Sequence, residues 1–167
     1  MKTTLITGAG GLLAPYLIEL SREFGRTITT SKQSGDIPTD LCDKDSVQKL
    51  INRSAPDWVV HTAAMTDVNG CELNPDEAYR NNLKATQNLI NALSSKTHIL
   101  FLSTDQVYPD CSGLHKEEDV CPINVYGKSK LAAELVMLKH PCTTIIRTNF
   151  FGPSRTHGRN SLDDYFV

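Results

Sequence analysis

Short apolar runs alternate with amphipathic stretches along the chain. Residues 2–7 form a brief β-rich run that ends at a glycine. Leu12, Leu13, Tyr16, Leu17 and Leu20 follow at the spacing of one helical face. Arg26–Thr30 reads as a second strand, and Asp43 is placed to cap a helix whose inner positions are Val47, Leu50 and Ile51. Residues 57–62 (Asp-Trp-Val-Val-His-Thr) predict a third strand. Asn74 and Pro75 open a long helix to about Leu93, with proline in the first turn, where its missing N–H has no partner to lose. Residues 97–103 predict a buried strand, Pro122 precedes a helix from about Asn124 to Lys139, and Thr143–Arg147 is a last strand.

Strands separated by helices of this length imply βαβ units with right-handed crossovers. The expected fold is α/β: a doubly wound, Rossmann-like parallel sheet with helices on both faces and ligands at the carboxyl ends of the strands. Residues 108–122, rich in Pro, Gly, Cys and acids, are expected to be an active-site loop. After Phe151-Gly-Pro-Ser comes a polar stretch, and residues 161–167 read as a capped helix that stops after two turns. Residues 1–167 are therefore expected to be one nucleotide-binding domain, with 155–167 as the start of a substrate-binding portion that is largely missing.

With 167 residues, 40% hydrophobic and 22% charged, the chain can bury one ordinary globular core. A net charge of −2 gives no basic field for nucleic acid. No apolar run of about 18 residues predicts a membrane span, and the N-terminus reads as a strand rather than a signal peptide. The five cysteines are odd in number and form no Cys-x-x-Cys pair, so neither a disulfide framework nor a zinc site is expected. Reduced thiols in a cytoplasmic protein are the simplest reading.

Gly8, Gly11 and Ala14 have the spacing G-x-x-G-x-x-A between a strand and a helix. Gly8 permits the tight turn, Gly11 lets the backbone approach a pyrophosphate, and Ala14 lets the helix pack closely on the strand. The helix N-terminus adds free N–H groups and the positive end of the helix dipole. A dinucleotide site normally carries an acid at the end of the second strand for the ribose hydroxyl. Here that end is Thr29-Thr30-Ser31-Lys32. Lys32 and two hydroxyls suit a 2′-phosphate, favouring NADP over NAD; the alternative is a solvated surface lysine. Asp40 and Leu41 could offer a carboxylate and an aliphatic wall to adenine, or be a capping acid beside a core leucine.

Tyr126 and Lys130 lie at i and i+4 on one helical face. An ammonium beside the phenol would favour the phenolate and lower its pKa from about 10. The tyrosine could then exchange a proton with a carbonyl oxygen, and Lys130 could reach a nicotinamide ribose. Ser103-Thr104-Asp105 ends an apolar strand. A hydroxyl there can orient the reacting oxygen; side-chain alternation favours Thr104, and Asp105 could bind substrate hydroxyls.

These segments resemble the extended short-chain dehydrogenase/reductase superfamily, and within it the dTDP-4-dehydrorhamnose reductases and their relatives. The matching stretches begin at Pro56 (Pro-Asp-Trp-Val-Val-His-Thr-Ala-Ala-Met-Thr-Asp-Val), Asn74 (Asn-Pro-Asp-Glu-Ala-Tyr-Arg-Asn-Asn), Leu102 (Leu-Ser-Thr-Asp-Gln-Val-Tyr), Pro122 (Pro-Ile-Asn-Val-Tyr-Gly-Lys-Ser-Lys-Leu-Ala-Ala-Glu) and Arg147 (Arg-Thr-Asn-Phe-Phe-Gly). The resemblance implies a catalytic Thr104, Tyr126 and Lys130. It implies cofactor contacts at Gly8, Gly11, Leu12, Leu13, Asp40, Leu41, Ala63, Ala64 and Met65, with Asn82 supporting that site, and substrate contacts at Thr104, Asp105 and Phe150. The reaction implied is reduction of a 4-keto deoxysugar on a nucleotide with NADPH or NADH, in building rhamnose for surface polysaccharide.

The chain departs from the pattern in places. Gln106 stands where the reductases usually carry an aromatic residue, Ala14 replaces a third glycine, His61 replaces a common asparagine, and family members run to nearly twice this length. Two other readings stay open: an epimerase or dehydratase that retains NAD, and a non-catalytic NADP-binding regulatory protein like the β subunit of methionine adenosyltransferase. A nucleotide-sugar substrate and self-association into a homo-oligomer are the expected partnerships.

Overall fold

The computed structural model describes residues 1–156. Its strands are β1 (Thr3–Thr7), β2 (Arg26–Thr30), β3 (Trp58–His61), β4 (His98–Ser103) and β5 (Thr143–Arg147). They form one parallel sheet in the order β2-β1-β3-β4-β5. Helices α1 (Ala14–Arg22), α2 (Lys44–Ser54), α5 (Ala85–Ala92) and α6 (Val125–Met137) make the crossovers. The path steps from β1 to β2 in one direction and then returns across β1 to β3, β4 and β5. Right-handed crossovers therefore put α1 on one face and α2, α5 and α6 on the other.

The second face holds the core. Leu5 pairs in register with Ile28 and Val59, and Val59 with Ile99. These residues and Phe101 meet Val47, Leu50 and Ile51 of α2, Leu89 of α5, and Ala133 and Met137 of α6. Leu5, Val47, Val59, Leu89 and Met137 are fully buried, each worth roughly 1.5–3 kcal/mol of transfer from water. On the opposite face α1 lies over β1 and β2, where the Ser21 and Thr27 hydroxyls meet at 2.8 Å. Trp58 and His98 stack at 4.4 Å on the β3 and β4 part of that face, and both are exposed.

Local signals explain most element ends. Asp43 caps α2 by accepting from the Asp45 N–H, and Asn124 caps α6 by accepting from the Gly127 N–H. The predicted long helix does begin at Pro75, but it is not uniform. An α-helical start α4 (Pro75–Tyr79) passes into a π-helical turn (Arg80–Lys84) before α5. The extra residue in that turn lets Asn82 point inward, a polar demand that apolar periodicity does not show. A short helix α3 (Val68–Leu73), not foreseen in the sequence, precedes it; it carries Gly70 and is too short to show a period. The expected helix at 161–167 lies outside the described residues.

Candidate active site

The Gly-rich turn is built for close backbone approach. Gly8 has φ +77, and a Cβ there would sit 2.7 Å from the Thr62 hydroxyl and 2.9 Å from the Ala63 nitrogen. Glycine is the residue this geometry admits without strain. The Gly11 N–H donates to the Gly8 carbonyl at 2.8 Å, and a Cβ at Gly11 would lie 3.1 Å from that oxygen. Ala14 is buried where α1 leaves the turn.

The turn opens onto a cleft of about 630 Å3 across the carboxyl ends of β1, β2 and β3. Gly8, Gly11, Leu12, Leu13, Lys32, Asp40, Leu41, Ala63, Ala64 and Met65 all line it. So does Phe150, which the resemblance assigns to substrate. The sequence reading missed Gln33, Ser34, Thr62, Glu77 and Asn81, which also line the cleft. Glu77 and Asn81 come from α4 and the π-turn, and only the fold reveals that these helical positions face the ligand side.

Lys32 and Asp40 meet across the cleft mouth at 3.3 Å. Both are partly open to water, so the pair is weak and the Lys32 amine can turn to another anion. The Asp40 carboxyl is held below the ordinary carboxylate range by the Cys42 N–H and then by Lys32, against the opposing effect of burial. An acid does reach β2 after all. Asp36 Oδ2 accepts from the Thr29 N–H at 2.9 Å and the Thr29 hydroxyl at 2.8 Å. That oxygen is occupied with shaping the β2 turn.

Behind the cleft runs a buried polar chain. The Thr7 hydroxyl oxygen accepts from the Thr62 and Ala63 N–H groups, both at 3.2 Å, and meets His61 Nδ1 at 2.7 Å. His61 Nε2 meets the Thr86 hydroxyl at 3.1 Å, and Thr86 donates to the Asn82 carbonyl at 2.6 Å. Each hydroxyl has one proton, so the network assigns His61 the neutral tautomer protonated on Nε2. Complete burial, with the Lys130 charge second, lowers its pKa from 6.5 to about 3. The Asn82 side chain accepts from the Met65 N–H at 2.7 Å and donates to the Met65 carbonyl and the Ser129 hydroxyl. Asn82 is thus buried and does not line the cleft. It acts through the Met65 backbone.

Thr104, Asp105, Tyr126 and Lys130 gather at the junction of β4 and α6, beside the cleft rather than in its lining. Met65 joins the two regions: it lines the cleft and packs on the cluster of Tyr126, Cys71 and Ala78. Thr104 is buried; its hydroxyl donates to Asp105 at 3.1 Å and accepts from the Gln106 N–H at 3.2 Å. Burial raises the Tyr126 pKa, and the neighbouring Thr104 side chain opposes that rise. Lys130 is buried, donates to the Leu102 carbonyl at 2.7 Å and lies 4.1 Å from the centre of the Phe101 ring. Burial lowers its own pKa from 10.5 to about 7, against the attraction of Glu134. The expectation that Lys130 makes the phenol acidic is therefore not met in this arrangement: the amine points into the core, and desolvation governs the tyrosine.

The loop 108–122 is tied down by Arg147. Its guanidinium makes a bidentate pair with buried Glu134, at 2.7 Å from Nη2 and 3.1 Å from Nε, and also donates to the Tyr108 hydroxyl and the Glu117 carbonyl. Glu134 pushes the Arg147 pKa up, keeping the cation fixed. Among the described residues no helix is long and apolar enough to cross a membrane.

The residues present fit a dinucleotide. The cradle at Gly8 and Gly11 is one that side chains would fill, and the Ser103 hydroxyl, next to Thr104, is buried without a partner among the described residues. Strand order, glycine turn and the β4–α6 junction together are those of the Rossmann-like half of an extended short-chain dehydrogenase/reductase. Residues 1–162 match the family described as RmlD substrate binding domain, and the chain belongs to that family.

Among its relatives, a dTDP-4-dehydrorhamnose reductase from Aggregatibacter actinomycetemcomitans is 36% identical over 154 residues, covering 90% of this chain and 52% of the relative. The crystal structure of dTDP-4-dehydrorhamnose reductase (rfbD) from Bacillus anthracis, in complex with NADP, superposes with a TM-score of 0.84 at 30% identity, covering 96% of this chain and 57% of the other. Methionine adenosyltransferase 2 subunit beta from Rattus norvegicus is 30% identical over 150 residues, covering 83% of this chain and 43% of that protein. The chain spans about half the length of the curated relatives it matches.

Proposed function

We propose that residues 1–167 form an NADP(H)-binding domain and that Tyr126 donates the proton in reduction of a 4-keto deoxysugar carried on a nucleotide. The observation that carries this reading is the continuity, through Met65, of the glycine-lined cleft with Tyr126 at the β4–α6 junction. Gly8, Gly11 and the start of α1 would hold the pyrophosphate; Asp40 and Leu41 the adenine; and Lys32, released from Asp40, a 2′-phosphate. NAD would fit the same cleft without using Lys32. Bound there, the reduced nicotinamide would supply the hydride.

The chain's own residues supply the rest. Thr104 orients the substrate oxygen, Tyr126 gives it a proton, and Asp105 and Phe150 face the sugar. Burial of Tyr126 keeps the phenol protonated, which suits a proton donor in the reducing direction. Lys130 would turn from Leu102 toward the nicotinamide ribose. The nucleotide of the substrate would rest mainly on residues of the kind found in the other half of the relatives. An assay of NADPH oxidation with dTDP-4-dehydrorhamnose tests the reading: turnover that requires both compounds supports it.

A second reading is favoured by the match to the methionine adenosyltransferase subunit. In that case the chain binds NADP without turnover and associates with another protein. Tight NADPH binding with no oxidation of it by any nucleotide 4-ketosugar would select this alternative.

A further inference from the structure

We infer that Gln106 is a positioning residue. Its side-chain amide braces the start of α6 and so sets Tyr126 against Thr104. The inference rests on the roles proposed above for those two residues. The Gly127 N–H can only donate, and it does so to Asn124 Oδ1 at 2.7 Å. The Asn124 amide nitrogen therefore faces away from the helix, where it donates to Gln106 Oε1 at 2.7 Å. Both amide orientations follow from this one chain of bonds.

The Gln106 backbone completes the brace. Its N–H donates to the Thr104 hydroxyl at 3.2 Å, and its carbonyl lies so close beneath Gly127 that a Cβ there would collide with it. A single residue thus touches Thr104 on one side and both neighbours of the Val125–Tyr126 turn on the other. The Gln106 side chain is half-buried and belongs to neither apolar cluster of the core, so its contribution is a hydrogen bond rather than packing. Leucine would occupy similar space with no acceptor, leaving Asn124 free to rotate off Gly127. Glutamate would keep the acceptor.

The test compares wild type, Gln106→Leu and Gln106→Glu by amide hydrogen exchange and by turnover of NADPH with dTDP-4-dehydrorhamnose. Gln106→Leu is expected to speed exchange of the Gly127 amide about fivefold, the scale of a weakened helix cap. It is expected to lower kcat about tenfold or more at unchanged KM for NADPH, as a small misplacement of reacting groups does. Gln106→Glu is expected to restore both. Gly127 exchange in Gln106→Leu equal to wild type overturns the brace, whatever the turnover. Faster exchange with an unchanged kcat overturns the positioning role. A wild-type chain that turns over nothing defeats the reductase reading alone; the brace is then judged on Gly127 exchange and its recovery in Gln106→Glu.

Discussion

Lys130 sits one helical turn from Tyr126 on α6, yet its ammonium donates to the Leu102 carbonyl at 2.7 Å and lies over the Phe101 ring. This burial lowers its pKa from 10.5 to about 7. Between those two values the unfolded chain binds a proton that the folded chain lacks, so stability rises with pH across that window, and below about pH 7 the full penalty is present. Lys130→Met removes the penalty. It is expected to raise the melting temperature at pH 6, with a gain of about 1–4 kcal/mol that vanishes toward alkaline pH, and to abolish turnover. Thermal melts across pH check this; equal stability at pH 6 would show the buried cation to be well accommodated.

Tyr126→Phe removes the proposed proton donor while leaving the cleft lining untouched. Turnover is expected to fall by about 100-fold or more, with NADPH affinity changed only a few-fold. Because burial raises the phenol pKa, the alkaline limb of the wild-type reduction profile should lie above the ordinary tyrosine value. A limb near neutral pH would indicate that Lys130 moves to the phenol during the reaction.

His61 should make the protein acid-sensitive. Its pKa falls from 6.5 to about 3 on folding, so the unfolded state gains a proton between those values and stability drops as pH falls through the window. The full effect is roughly 5 kcal/mol. His61→Asn is expected to flatten this part of the pH–stability curve while costing about 1–3 kcal/mol at pH 7 through lost hydrogen bonds. Urea denaturation at pH 4, 5, 6 and 7 measures the slope. Identical slopes would remove His61 as the cause.

Arg147 and Glu134 hold loop 108–122 against β5 and α6. Arg147→Leu leaves the Glu134 carboxylate buried and unpaired, which costs about 3–5 kcal/mol. The variant should unfold at lower denaturant and be cut by protease within 108–122 before the rest of the chain. Unchanged protease resistance of the loop would show that other contacts secure it.

Much of the fold is legible in the amino-acid sequence. All five strands were readable as short β-rich runs; of the cleft lining, Gly8 and Gly11 were readable from glycine spacing, and Leu12 and Leu13 only from the family resemblance. The π-turn, α3 and the inward Asn82 were not, because polar anchoring of a backbone segment leaves no apolar period. The direction of the Lys130 side chain was hidden for a related reason. A spacing of four residues places Lys130 and Tyr126 on one helix face, but the choice between the phenol and the Leu102 carbonyl depends on tertiary packing. Asp36 escaped notice because it reaches β2 from a turn rather than from the strand end.

The proposed function requires that the glycine-lined cleft hold a dinucleotide. Titration calorimetry of NADPH into the wild-type chain and into Gly11→Val tests it most directly. The Gly11 substitution only crowds the Gly8 carbonyl at 3.1 Å, so the fold should survive while the close approach of pyrophosphate is lost. Saturable one-site binding by wild type that disappears in a folded Gly11→Val is the expected result. No binding by wild type, or equal binding by both, would contradict it.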